Sequence, residues 1–321
     1  MEIEDEVTDA IIGITSDLCL ESITTAKINR GTSSAIDAKE VEEFQEKISE
    51  SAKVQAQSNY ARSTGDTETD LQVITTSIVY SKLDNKRTPN LLDQSGQSVE
   101  IALYTAFCPT YHMRALQKLA KKLDLNILAI SPENFALLKA LHQTEKESTD
   151  LVLVQIGADF TNVGVVFGGA VAANKSLHIG KKHFIEEISS IMGLTSTESR
   201  KVLESHSQGN LSTSESVVVQ NCLSDVLDIW LEGIELLFND FSGVKTFAPS
   251  IYLYGEGTHL PEIEEALTKT PWMKSIPFKS PPTIEELDIE IFTKIADATG
   301  TVNTKAWIIP LVLANIYEEV V

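Results

Sequence analysis

The chain has 321 residues, 42% hydrophobic and 7% aromatic, with a formal net charge of −20. That length supports about two domains with a sizeable core. An acid excess of this size repels phosphate backbones and anionic lipid, which argues against nucleic-acid binding and electrostatic membrane docking. Cys19, Cys108 and Cys222 are far apart, lack CxxC spacing, and read as reduced core thiols of a cytosolic protein. The opening residues are acidic and polar, unlike a signal peptide. The apolar segment Trp307 to Tyr317 holds Pro310 and is too short to span a bilayer.

In chain order, Ala10–Ser16 reads as a short buried strand and Cys19–Ile28 as a β-branched strand. Residues 36–57 repeat with a helical period. Asp37 and Glu40 stand at capping-box spacing there, and Val41, Phe44 and Ile48 share one face. The polar run 58–70 reads as a loop, and 71–84 and 98–107 read as strands. Residues 110–125 form an amphipathic helix, with Met113, Leu116, Leu119, Ala120 and Leu123 expected inward. Leu18 to Leu125 is therefore expected to be a β-α-β-β-α unit. A strand (126–131) and a helix (132–143) follow. After the strand–turn–strand stretch from Leu151, Thr195 and Glu198 open one helix and 216–240 form a long one. Residues 250–267 read as strand, glycine turn and helix. The proline-rich 269–288 reads as a surface excursion around a short strand at Ser275–Phe278, and Lys305–Glu318 as a last helix.

Two turns could carry chemistry. The spacing x-G-x-x-x-T at Gly157 and Thr161, between two strands, aims backbone N–H groups into one small space, with the Thr161 hydroxyl as an extra donor. Gly255-Glu256-Gly257 lies at a strand-to-helix turn, where backbone can approach a ligand near a helix N-terminus. Each pattern alone also fits a plain turn. His178 and His183 lack a third metal-type ligand, and His112 has no Ser or Cys partner in view. No metal site and no catalytic residue is expected. The acid pairs before Phe44, Ile188 and Leu287 read as solvated charge.

Four segments in one order resemble the cell-division protein family FtsA, with PilM as a near relative, within the actin-like (ribonuclease H-like) ATPase fold. They are "DAIIGITSDLCLESITTAKINRG" with the helix after it, "SKLDNKRTPNLLDQSGQSVEIALYTAFCP" with its helix, "VQIGADFTNVGVVFGGAVAANKSLHIGKKHF", and "IYLYGEGTHLPEIEEAL". The resemblance implies an α/β actin-like chain, N-terminally truncated, with the β-α-β-β-α unit as an inserted subdomain. Residues 1–17 and 126–147 would be remnants of the first actin-like domain, 18–125 the insert, and 148–321 the second domain with its C-terminal helix packing back. It also implies weak ATP or ADP binding at Gly157, Ala158, Asp159, Thr161, Gly255, Glu256 and Gly257.

Departures from the family pattern weaken the enzyme reading. The first Asp-Gly phosphate hairpin has no counterpart. Gln155 stands where the family has the Asp that organises the metal's water shell. Ala158 and Asp159 replace family glycines, and Asn162 replaces an acid. The implied function is thus an FtsA-like division adaptor with a degenerate nucleotide site and doubtful hydrolysis. Its implied partners are an FtsZ-like tubulin homologue or other division proteins, and self-association. Membranes would be reached only through partners, and the place would be the cytoplasm at the division site. The alternatives are a nucleotide-binding actin-like ATPase and a PilM-like pilus-assembly adaptor.

Overall fold

A computed structural model describes residues 7–317, except Glu147, Ser242, Thr270, Ala296, Ala298, Thr299 and Asn303. The chain divides into two compact units. The first holds residues 1–149, 166–174 and 309–321, the second 150–165 and 175–308.

In the first unit, β1 (Asp9–Ile14) pairs in parallel with the later strand Asn126–Pro132. An antiparallel sheet is built from β2 (Leu20–Asn29), β3 (Leu71–Leu83), the two-residue β4 (Lys86–Arg87) and β5 (Ser98–Pro109), in the order β2-β5-β3-β4. The helix α1 (Ala38–Thr64) crosses it, burying Phe44, Ile48, Ala52 and Ala56 at four-residue spacing against Ile101, Leu103 and Phe107. This helix is longer than expected. The polar run 58–64 has no breaker, so it stays helical until Gly65, whose φ of 76° closes the C-terminus. Asp37 caps the N-terminus, accepting from the Glu40 N–H. The Glu40 carboxylate does not complete the box; it holds Arg30 through two bonds of 2.6 Å.

The next helix, α2 (Thr110–Lys122), corrects the expected inward set. Met113 and Ala120 are buried and Leu116 partly so, whereas Leu119 and Leu123 are 54% and 58% exposed. The buried arc is narrow because the helix lies over only a small cluster of Ile14, Cys19, Cys108 and Met113. After β6 (Asn126–Pro132) and α3 (Glu133–Leu141), one polar knot completes this unit. The buried Glu21 carboxylate accepts from the Tyr104 hydroxyl at 2.7 Å and from Asn174 Nδ2, beside Ser16, which itself accepts from Asn134 Nδ2 at 2.6 Å. No cation is among these partners. Burial outweighs the four hydrogen bonds and pushes the Glu21 pKa up to about 7.

A five-stranded sheet holds β7 (Leu151–Ile156), β8 (Thr161–Phe167), β9 (Ala170–Leu177), β10 (Ser250–Tyr254) and β11 (Thr283–Glu286) in the order β11-β10-β7-β8-β9; all of it belongs to the second unit except residues 166–167 of β8 and 170–174 of β9. The strand β7 is buried at every position, as a central strand covered on both faces should be. Its helices are α4 (Lys181–Met192), α5 (Ser196–Ser207), α6 (Thr213–Asp240) and α7 (Pro261–Lys269). Full capping boxes, Thr195 with Glu198 and Ser212 with Glu215, start α5 and α6.

The proline-rich stretch is not a surface excursion. Trp272 and Ile276 are buried, and the rings of Phe238, Phe247, Trp272 and Phe278 lie 4.9 to 6.1 Å apart. The strand falls at β11, while Ser275–Phe278 makes one isolated bridge, Phe247 with Phe278. The last helix, α8 (Ile308–Ala314), is shorter than expected. Residues 305–307 form a single 3-10 turn, and Glu318 lies outside the described residues.

Candidate functional site

The two glycine turns meet. β7 and β10 are parallel neighbours, with Gln155 opposite Tyr254, so Gly157 and Gly255 leave adjacent strand ends. Gly255 has φ +104°, and a Cβ there would lie 2.6 Å from Ile156 O; one at Gly257 would lie 2.2 Å from Ile156 Cγ2. Both glycines therefore allow close approach of the turn to strand β7 itself.

The loop after β7 spends its polar groups internally. The Gly157 N–H donates to Phe160 O at 2.9 Å. The first N–H groups of α4 are turned onto this loop, Lys181 to Gly157 O at 2.9 Å and Lys182 to Ala158 O at 2.8 Å. Gly180 lies so near that a Cβ would meet both carbonyl oxygens at 2.7 Å. Thr161 is fully buried; its hydroxyl donates to Ile179 O at 2.7 Å and accepts from Trp230 Nε1 at 2.9 Å. Gln155 and Asn162 are buried and bonded to each other at 2.9 Å. Asp159 is exposed, 3.6 Å from Lys182.

Beside Gly257 opens a cavity of about 610 Å³. Its lining includes Leu203, Glu204 and Ser207 of α5, and Lys181, Glu256, Glu286 and Lys305. Both lysines are already paired, Lys181 with Glu256 at 3.5 Å and Lys305 with Glu286 at 2.5 Å. The resemblance puts the α5 helix near a nucleotide sugar through Arg200 or Lys201, but Leu203, Glu204, Lys181 and Lys305 were not singled out from sequence. Of the seven expected site residues, only Glu256 and Gly257 line this cavity.

A second opening lies within the first unit. β6 is paired along one edge with β1, and β3 along one edge with β5; the other edge of β3 meets β4 only at Lys82 and Leu83. Between them runs a slot of about 590 Å³, lined by Gln72–Thr76 of β3 and Ile127–Ser131 of β6. Met113, Gln117, Phe135, Lys139 and Ile316 complete its walls. Among the described residues one bond spans it, Thr75 Oγ1 to Ile130 O at 3.4 Å. Unpaired strand edges beside half-buried apolar side chains suit an added extended segment. Sequence patterns do not reveal this slot, since it depends on which strands pair.

No family model and no curated protein matches the chain. Among solved structures it is similar to the PilM-PilN type IV pilus biogenesis complex, with TM-score 0.58 and 15% identity over 92% of this chain and 76% of that one. The ethanolamine utilization protein EutJ from Carboxydothermus hydrogenoformans gives TM-score 0.43 and 13% identity, over 62% of this chain and 59% of that one. MreB 5 of Spiroplasma citri bound to AMPPNP gives 0.39 and 14%, over 64% of each chain. The chain has the actin-like fold.

An actin-like fold raises the question of a nucleotide with its metal, and the strand-end residues do not fit one. The donors a phosphate needs, Thr161 Oγ1 and the Gly157, Lys181 and Lys182 N–H groups, already have protein acceptors. The amide pair Gln155–Asn162 offers a hard cation no charge. The adjoining cavity has four carboxylates, Glu204, Glu256, Glu264 and Glu286, against two paired lysines, which opposes a polyphosphate.

Proposed function

We propose that this chain is a protein-interaction adaptor on an actin-like fold, which captures an extended segment of a partner in the slot between β3 and β6. The observation that carries the reading is the contrast in satisfied groups. The glycine turns have their donors bonded internally, while β3 and β6 leave paired-strand edges open beside apolar side chains. Main-chain bonds to such an edge supply affinity, and the flanking pockets select alternate side chains of the guest. Nucleotide hydrolysis is not part of the reading, because the donors at the turn are bonded to protein atoms and Gln155 stands in place of a metal-organising carboxylate.

Two partner classes follow. The four family-like segments favour a division partner such as an FtsZ-like tubulin homologue, with the protein in the cytoplasm at the division site. The fold likeness to PilM in the PilM-PilN complex favours a pilus-assembly partner. The test is fluorescence anisotropy with two labelled probes: the C-terminal tail peptide of an FtsZ-type protein, and a short peptide from a PilN-type protein. One should bind, and Ala129→Trp, which fills the slot, should abolish binding while leaving the melting temperature unchanged. Binding that survives Ala129→Trp would remove the slot from the proposal.

A further inference from the structure

Helix winding gathers charges that the linear sequence keeps apart. The outward arc of α2 carries Arg114, Lys118, Lys121 and Lys122, with Tyr111 and Ala115 between them. All are exposed, and among the described residues none of the four cations forms an ion pair. Leu119 and Leu123, the two residues that escape the core, flank this arc. In a chain of net charge −20, an unpaired basic and apolar helix face is a marked exception.

The acidic counterpart is on the same chain. The outer line of α6 runs Asp225, Ile229, Glu232, Leu236, with Ile229 and Leu236 58% and 69% exposed. These follow each other at intervals of four, three and four residues, as do Tyr111, Ala115, Lys118 and Lys122 on α2. That rhythm is the seam along which two helices interlock. Asp225 and Glu232 have no ion-pair partner among the described residues.

We infer that the chain self-associates by laying the basic seam of α2 from one copy against the acidic seam of α6 from the next. The contact is heterologous, since each copy offers one face of each kind. An anionic membrane is disfavoured as the occupant of α2, because the remaining surface of this acidic chain would be repelled by it. With thirteen residues, α2 is roughly 20 Å long, so the interface falls at the small end of the range and the association is weak and salt-sensitive. The inference does not depend on the partner slot.

Sedimentation equilibrium of the full chain tests it. At low salt the wild type should associate reversibly within about 200 µM, and about 0.5 M NaCl should dissociate it. Lys118→Glu with Lys122→Glu, or Asp225→Lys with Glu232→Lys, should each weaken association at least about tenfold. An equal mixture of the two double variants should restore it, because each then supplies the charge the other lacks. A wild type monomeric throughout, an association indifferent to both pairs, or a mixture that fails to restore it would overturn the inference. So would cosedimentation of the wild type with phosphatidylserine vesicles that the α2 variant loses, which would give the face to lipid. If a reversal perturbs the circular dichroism melt, Lys118→Ala with Lys122→Ala should still weaken association.

Discussion

The ends of β7 and β10 in the second unit and the edges of β3 and β6 in the first are both places where a strand stops pairing, yet they differ in what happens next. At the strand ends the chain supplies its own partners. The start of α4 caps the loop carbonyls, Trp230 and Ile179 claim Thr161, and two glycines seat their turn on Ile156. At the strand edges one hydrogen bond among the described residues spans the slot. The difference teaches that a glycine-rich turn is not by itself a binding site. What matters is whether its donors end on protein atoms or point into space.

The sharpest way to break this contrast is at the glycines. Gly257→Leu and Gly255→Val should each destabilise by about 4 kcal/mol or prevent folding, since side-chain atoms would overlap β7 and Gly255 would be held at positive φ. Urea denaturation measures this. A folded, stable variant would mean that the turns keep glycine for a ligand and not for packing.

Next in size is the polar knot of the first unit. Its folded-state pKa of about 7 lies above the ordinary 4.5, so Glu21 supports folding fully below about 4.5 and loses that contribution as pH rises through about 7. The chain should therefore unfold more easily at pH 8 than at pH 5, by about 3 kcal/mol from this residue. Glu21→Gln should flatten the profile. An unchanged profile would show that Glu21 is not the titrating group.

Thr161→Val comes third. It strands the Trp230 N–H and the Ile179 carbonyl in a buried place, at about 2 kcal/mol. Phosphate release in the presence of ATP and Mg²⁺ should stay at background in both proteins. Release by the wild type that Thr161→Val abolishes would return the turn to nucleotide chemistry. The smallest effect is expected at Leu119→Gln, within about 0.5 kcal/mol, because the side chain is half in water. A loss of about 3 kcal/mol would restore it to the core.

The order and type of most elements were legible because hydrophobic period survives without knowledge of neighbours: Phe44 to Ala56 repeat every four residues, and β7 is apolar at every position but Gln155. The end of α1 was missed because a polar helix and a polar loop have the same composition, and the punctuation was a single glycine, Gly65. The sides of α2 were misjudged because period gives an apolar stripe but not the width of the surface that will cover it. At the strand ends, the pattern of Gly157, Thr161, Gly255 and Gly257 was visible. Its role was not, since that depends on Ile156 and Trp230, which reach these positions only through the pairing of β7 with β10 and the course of α6.

The polar knot also bears on the timing of assembly. Glu21 finds its hydroxyl partner 83 positions later and its amide partner 153 positions later. Gly13 lies under Leu313, 300 positions on by subtraction of the two numbers. During synthesis the first unit must therefore wait with a buried-type carboxylate and an apolar strand uncovered, while the second unit, whose sheet draws on residues 151–286, can close around itself. Of the two units, the one whose first strands are made earlier is the later to be finished, and until then β1 and β2 are the segments that a chaperone would have most reason to hold.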